Sequence, residues 1–229
     1  MWIVKLGGSL ARDARLPRWL RMLAELGGGR VVVVPGGAAF ADAVRAAQGH
    51  WGFDDLTAHN MAVLAMAQTA HLLHALEPRL TLVSDEDAIR RAQHAGQVVL
   101  WMPLSLLRDA PDIITSWEVT SDSLALWLAR RLNAERLVVV KACEVKRPHT
   151  LQELSAAGLV DGRFDQWADG AAFPIDVVEC EDRDLERVRD GLLGGPSFAL
   201  PGLLPPRAGA SGDGRLDRGK AGPRRKPPG

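Results

Sequence analysis

Short apolar runs alternate along this chain with stretches of helical period. The runs cover residues 2–4, 31–34, 80–83, 98–102, 137–140 and 177–178. Apolar runs of this length, bounded by glycine and polar residues, predict buried strands. Between the first two, Leu16, Trp19, Leu20, Leu23 and Leu26 recur at helical spacing, and Gly27-Gly28-Gly29 stops the helix. A short helix is predicted over 40–47. Residues 48–55 (QGHWGFDD) read as a loop with two aromatics and two carboxylates, Asp54 and Asp55. It is either a substrate loop or a plain surface loop. Residues 57–76 form a long, mostly apolar helix, buried in the core or in a subunit interface. An exposed helix follows over 85–94. Thr120 or Ser121 can cap a helix that runs to Leu132, with Asp122 in its first turn. Thr150 starts a short helix, and 182–192 is a charged one.

Two strand ends share a plan. Val4-Lys5-Leu6-Gly7-Gly8-Ser9 and Val34-Pro35-Gly36-Gly37-Ala38 each pass from a buried strand through a glycine pair into a helix. Such turns aim backbone N–H groups at an anion, and the helix start adds positive dipole. On neighbouring parallel strands they would face each other at the carboxyl edge of one sheet, where open α/β sheets bind ligands. One turn carries a lysine. The pair therefore suits transfer of a phosphoryl group between two ligands. Neither turn has the spacing of a Walker loop or of Gly-x-Gly-x-x-Gly, which argues against a dinucleotide binder. Lys141 ends another buried strand, where it either snorkels to the rim or reaches the edge where Lys5 sits. Asp122 reads as a helix-end charge or as a group with a catalytic task. His71 and His74 share a helix face, but no third metal ligand is apparent, so packed or capped histidines are the better reading.

Composition narrows the class. The chain has 229 residues and no net charge. From Arg207 onward seven Lys/Arg stand against two Asp/Glu, so the body before it is mildly acidic. That gives no footprint for nucleic acid. Cys143 and Cys180 have no metal spacing and fit a reducing, cytoplasmic compartment. No apolar run is long enough to span a bilayer, and the immediate start of a strand leaves no room for a signal peptide. The expected organisation is one domain over 1–205 and a disordered basic Gly/Pro-rich tail over 206–229.

The set Lys5-Leu6-Gly7-Gly8-Ser9, Val34-Pro35-Gly36-Gly37 and Thr120-Ser121-Asp122-Ser123-Leu124-Ala125 resembles the amino acid kinase superfamily, over roughly residues 1–195. The resemblance implies a three-layer α/β/α fold with a mostly parallel central sheet, and phosphoryl transfer from MgATP without a covalent enzyme intermediate. By motif match Lys5 would hold ATP phosphate oxygens, Gly7, Gly8 and Ser9 would line the donor phosphates, Gly36 and Gly37 would approach the acceptor, and Asp122 would orient the active-site lysine. Residues 59–66 and 117–122 resemble the branch that serves methanofuran biosynthesis and one-carbon metabolism. That branch implies an aminomethylfuran-methyl phosphate as acceptor, a small molecule with a flat ring, an amine and a phosphate. Trp117 would meet the ring, with Trp51 second. Glu118, Asp54 and Asp55 would be available to the amine. The segment after Lys141, Ala142-Cys143-Glu144-Val145-Lys146, departs from the superfamily pattern. Lys141 or Lys146 would then supply the second cation.

Phosphoryl transfer needs positioning and charge neutralisation more than covalent chemistry. Mg²⁺ would ride on the ATP phosphates and keep several waters. A homo-oligomer through the helix at 57–76 is expected. The rival readings are a non-catalytic nucleotide- or anion-binding or storage protein on the same fold, and a kinase for a carboxylate or nucleotide acceptor.

Overall fold

The computed structural model describes residues 1–145 and 150–194. Among these residues six strands form one sheet: β1 (Trp2–Leu6), β2 (Val31–Pro35), β3 (Leu80–Val83), β4 (Val98–Trp101), β5 (Arg136–Lys141) and β6 (Ile175–Glu179). Their order across the sheet is β3-β4-β2-β1-β5-β6. Every pairing is parallel. The strands are apolar throughout because both faces are covered. The period of two still sorts their side chains. Ile3, Val32, Val34, Val99, Leu137, Val139 and Val177 enter one core, and Val4, Leu6, Val31, Val33, Val138, Val140 and Val178 enter the other.

Helices close both faces, which gives the three layers expected from the sequence. On the second core lie α1 (Leu16–Leu26), through Trp19 and Leu23, and α8 (Asp182–Leu192), through Leu185 and Val188. On the first lie α4 (Glu86–His94), α5 (Ser121–Arg131), α6 (Leu151–Ala156) and α7 (Phe164–Ala168). Between them in sequence come α2 (Ala38–Trp51) and α3 (Asp55–Leu76). The long α3 contributes Val63 and Met66 to the first core and Ala70 and Leu73 to the second.

The helical layer departs from the sequence expectation at one boundary and adds to it elsewhere. The helix placed over 40–47 is α2, which begins at Ala38 and runs on through Trp51, so half of the expected 48–55 loop is helical. It stops only at Gly52, whose left-handed φ of 67° closes the helix. The mostly apolar α3 is buried in part by the cores of this chain, and within the single chain Leu64, Leu72 and Leu76 stay exposed, as the interface reading of this helix allows. The short α7 had no signal in the hydrophobic pattern. Lys146 and the tail over 206–229 lie outside the described residues.

Candidate active site

Lys5 is the penultimate residue of β1, and Lys141 ends the adjacent β5. Lys5 registers with Val139, two residues before Lys141, so period two sends both lysines to the same face of the sheet. That face is covered by α5, whose second residue is Asp122. Asp122 stands between the two cations: its Oδ1 lies 2.5 Å from Lys5 Nζ and its Oδ2 accepts from Lys141 Nζ at 2.7 Å. Lys5 and Asp122 are buried, and Lys141 is nearly so. Burial pushes the Lys5 ammonium down to about 8; Asp122 partly offsets this and Lys141 adds to it. Burial also acts against the Asp122 charge, but the two lysines outweigh it and hold the carboxyl below its usual range.

The cap of α5 comes from elsewhere in the chain. Thr120 is the N-cap residue but caps nothing with its own side chain. Asp161, in the turn between α6 and α7, does so instead. Its Oδ2 accepts from the Thr120 amide at 2.8 Å, the Thr120 hydroxyl at 3.0 Å and the Ser123 amide at 2.9 Å. Its Oδ1 accepts from the Ser123 hydroxyl. Nothing in the sequence marks Asp161, because its partners lie about forty residues away.

The two glycine turns pack against each other. A Cβ on Gly36 would stand 2.4 Å from the Gly8 amide nitrogen, and one on Gly8 would stand 2.7 Å from that of Ala38. Glycine is needed here first for this close backbone approach. The amides divide into two sets. Gly7 N–H donates to Val140 O at 3.0 Å and Gly36 N–H to Leu6 O at 2.9 Å, so these two extend the sheet. Gly8 and Ser9 begin a 3₁₀ turn, and Gly37 and Ala38 begin α2; these four residues line a cavity with Lys5 and Asp122. Ala38 holds a left-handed φ of 50°, a strained conformation for a residue with a Cβ.

The cavity encloses about 410 Å³. The apolar wall is α3, with Ala58, His59, Ala62, Val63 and Met66. His59 is held through its Nε2 to Leu106 O at 2.9 Å. Asn60 exchanges two hydrogen bonds with the Arg108 backbone, which ties down the 104–116 loop. The far end carries Arg45, Asp42, Asp55 and Trp117. The Arg45 guanidinium lies 4.3 Å from the Trp117 ring centroid. Gln48 joins this group: its Oε1 accepts from Trp117 Nε1 at 2.6 Å and its Nε2 donates to Asp55 Oδ1 at 2.9 Å. Arg12 lines the cavity beside the first turn.

Of the residues singled out in the sequence, Lys5, Gly8, Ser9, Gly37, Asp55, Trp117 and Asp122 line this cavity, and Lys141 joins it through Asp122. Gly7 and Gly36 support the turns from behind. Asp54 caps α3 by accepting from Thr57 N–H at 2.7 Å. Glu118 is exposed, outside the cavity, and pairs with Arg163 at 2.7 Å. Trp51 is exposed and stacks edge-on with His50. His74 Nδ1–H donates to Leu80 O at 2.8 Å, and His71 is exposed. Asp161, Gln48, Arg45, Asp42 and Arg12 were not foreseen.

A parallel α/β sheet with two facing glycine turns and a Lys–Asp–Lys cluster defines a class of anion-handling proteins, and the chain belongs to the amino acid kinase family, whose profile matches residues 1–144. A [5-(aminomethyl)furan-3-yl]methyl phosphate kinase of Methanocaldococcus jannaschii is 27% identical over 143 residues, 61% of this chain. The match spans 64% of that relative, less than two thirds of its length. Among solved structures, the uridylate kinase of Archaeoglobus fulgidus superposes with a TM-score of 0.64 at 15% identity, over 85% of this chain and 97% of its own. An isopentenyl phosphate kinase gives 0.58 at 13%, over 89% and 99%. At these identities the two structures share the fold.

Proposed function

We propose that the protein transfers the γ-phosphoryl group of ATP to a small phosphate monoester. The observation that carries this reading is the buried Lys5–Asp122–Lys141 cluster at the floor of a cavity framed by two glycine turns. An acceptor phosphate oxygen attacks the γ-phosphorus, the bond to the β,γ-bridging oxygen breaks, and ADP leaves with that electron pair. Charge builds on the oxygens of the transferring group, and fixed donors aimed there lower the barrier. Lys5 and the amides at the start of the first turn would supply those donors. Asp122 would keep Lys5 and Lys141 apart at a fixed spacing. The amides that open α2 would hold the acceptor phosphate. A phosphate monoester is already ionised, so no general base is required.

Among the described residues no group of three His, Cys, Asp or Glu could hold a metal ion. The donor set at the cavity floor is cationic and amide, which fits phosphates and not a bare cation. A magnesium ion brought by the nucleotide would be carried on its phosphates and waters, and would neutralise charge there.

The acceptor we favour is an aminomethylfuran-type phosphate. The curated relative's name and the chemistry of the cavity's far end support it. Trp117 offers a flat face, and Asp55 keeps a carboxylate at the rim for an ammonium group. Glu118 and Asp54 are engaged elsewhere and Asp42 pairs with Arg45 at 3.3 Å, which leaves Asp55 as the carboxylate for this task. The experiment is a comparison of acceptors with MgATP, read by mass spectrometry. The aminomethylfuran phosphate should exceed uridylate, isopentenyl phosphate and acetylglutamate in kcat/KM. Asp55→Asn should weaken it more than an analogue lacking the amine. Equal losses, or preference for a nucleotide or carboxylate, would overturn this acceptor. Binding of ATP without any transfer would favour the non-catalytic reading.

A homo-oligomer through α3 is consistent with the exposed stripe Leu64, Leu72 and Leu76. No helix among the described residues is long and apolar enough to cross a membrane. Two unpaired cysteines, Cys143 and Cys180, support a cytoplasmic setting.

A further inference from the structure

A second carboxylate, Asp161, outside the cavity lining, grips the residues on either side of Asp122. Asp122 lies between Thr120 and Ser123, and Asp161 binds both of those residues through backbone and hydroxyl groups. Four hydrogen bonds therefore converge on one side chain and fix the only turn of α5 that carries Asp122. The neighbouring residues repeat the grip. Arg163 N–H donates to Glu118 O at 3.1 Å, and its guanidinium pairs with the Glu118 side chain. Behind Asp161, Phe164 N–H donates to Asp161 O at 3.1 Å, and the Phe164 side chain is fully buried in the core shared with α5. The turn that holds Asp161 is thus anchored by the core. It is a rigid support set against the start of α5.

We propose that Asp161 is a positioning residue for phosphoryl transfer, a charged cap supplied across the fold that holds Asp122 between Lys5 and Lys141. It acts through Asp122 and touches neither ligand. The inference rests on the kinase reading for its kinetic part only. A helix start left without this cap would fray by one turn, and that turn includes Asp122. Movement of a supporting group by about 1 Å costs on the order of 10²-fold in rate. The charge matters as well as the geometry. The groups facing Lys5 are Asp122 from α5, Lys141 from β5 and Asp161 from the α6–α7 turn, and the negative charge of Asp161 helps Lys5 keep its proton.

Two variants separate geometry from charge. Asp161→Ala removes the cap, whereas Asp161→Asn keeps a good cap and loses the charge. With MgATP and the aminomethylfuran phosphate, Asp161→Ala should lower kcat on the order of 10²-fold with little change in acceptor KM. Asp161→Asn should restore most of the rate. A second readout needs no turnover. The chain has five lysines, Lys5, Lys141, Lys146, Lys220 and Lys226, so ¹³Cε-lysine NMR can follow Lys5 and Lys141 in the ligand-free protein. In Asp161→Ala both signals should move and the Lys5 midpoint should fall below its wild-type value. In Asp161→Asn the Lys5 midpoint should also fall, by less. A folded Asp161→Ala protein whose Lys5 and Lys141 signals match wild type would overturn the proposal. Should that variant fail to fold, a Thr120→Val/Ser123→Ala double variant, which removes both hydroxyl bonds to Asp161, replaces it, and Lys5 and Lys141 signals that match wild type in that protein overturn the proposal. A wild-type protein that transfers nothing defeats the kinase reading and leaves the NMR result to judge Asp161.

Discussion

A buried lysine whose ammonium has been pushed down toward neutrality is poised to bind an anion and costly to keep charged. Lys5 shows both properties. It sits near the end of a fully covered strand, and Asp122 does most to make its charge tolerable there. Lys5→Ala should fold and lose about 10²–10³-fold in rate, the usual loss for one fixed donor at a transition state. Unchanged kinetics in the folded variant would remove Lys5 from the site. Asp122 was ambiguous from its place in a first turn, since a helix end alone could explain it. Its contacts with Lys5 and Lys141 favour the second explanation, a catalytic task. Asp122→Asn leaves two cations without their counter-ion, and breaking a buried pair costs about 3–5 kcal/mol. Initial rates should therefore collapse together with the thermal midpoint. A helix-end charge alone would cost about 0.3–1 kcal/mol with the rate kept. Melts beside rate assays separate the two.

At the scale of elements, the glycine turns show what a sequence discloses and what it withholds. The repeated strand–glycine plan was legible, and so were the strands, because parallel strands covered on both faces must be apolar throughout. The division of labour between the glycines was not. Gly7 and Gly36 carry the sheet hydrogen bonds, while Gly8 and Gly37 face the cavity, a distinction set by strand register. Likewise α2 overran its expected end, since nothing before Gly52 requires a positive φ. The cap from Asp161 was invisible because it joins residues distant in sequence. Glu118 was misplaced by its proximity to Trp117: along that loop neighbours point apart, one into the cavity and one toward Arg163. The contact between the turns yields a paired prediction. Gly36→Ala would drive a Cβ into the Gly8 backbone and should cost about 1–3 kcal/mol or more. Gly49→Ala lies inside α2 with open space around it and should gain about 0.8–1 kcal/mol from helix propensity. Chemical denaturation of both variants measures the contrast. A Gly36→Ala protein as stable as wild type would show that the turns do not touch.

For the whole molecule, the same buried lysine sets stability and activity against each other as pH rises. The unfolded chain holds the Lys5 proton up to its ordinary value of 10.5, whereas the folded chain gives it up near 8. Between these values the unfolded state binds more protons, so the slope of stability against pH from this group is positive. Cys180 acts with the opposite sign. Burial raises its thiol from 9.0 to about 12, so the folded state binds more protons above pH 9 and stability falls there. The chain has no tyrosine to add a further titration in this range. Between about pH 8 and 9 Lys5 therefore acts before Cys180 intervenes. There the melting temperature of the ligand-free protein should hold or rise relative to a Lys5→Met variant, while kcat/KM for MgATP falls by up to tenfold per unit as the cation is lost. Bound nucleotide phosphates favour the ammonium form, so saturation with ATP should move the fall in kcat to higher pH than the fall in kcat/KM. Melts of wild type and Lys5→Met across this interval, beside rate profiles, test the linkage. Parallel difference curves with no pH dependence would show that Lys5 keeps its ordinary proton affinity and that the cluster does not desolvate it.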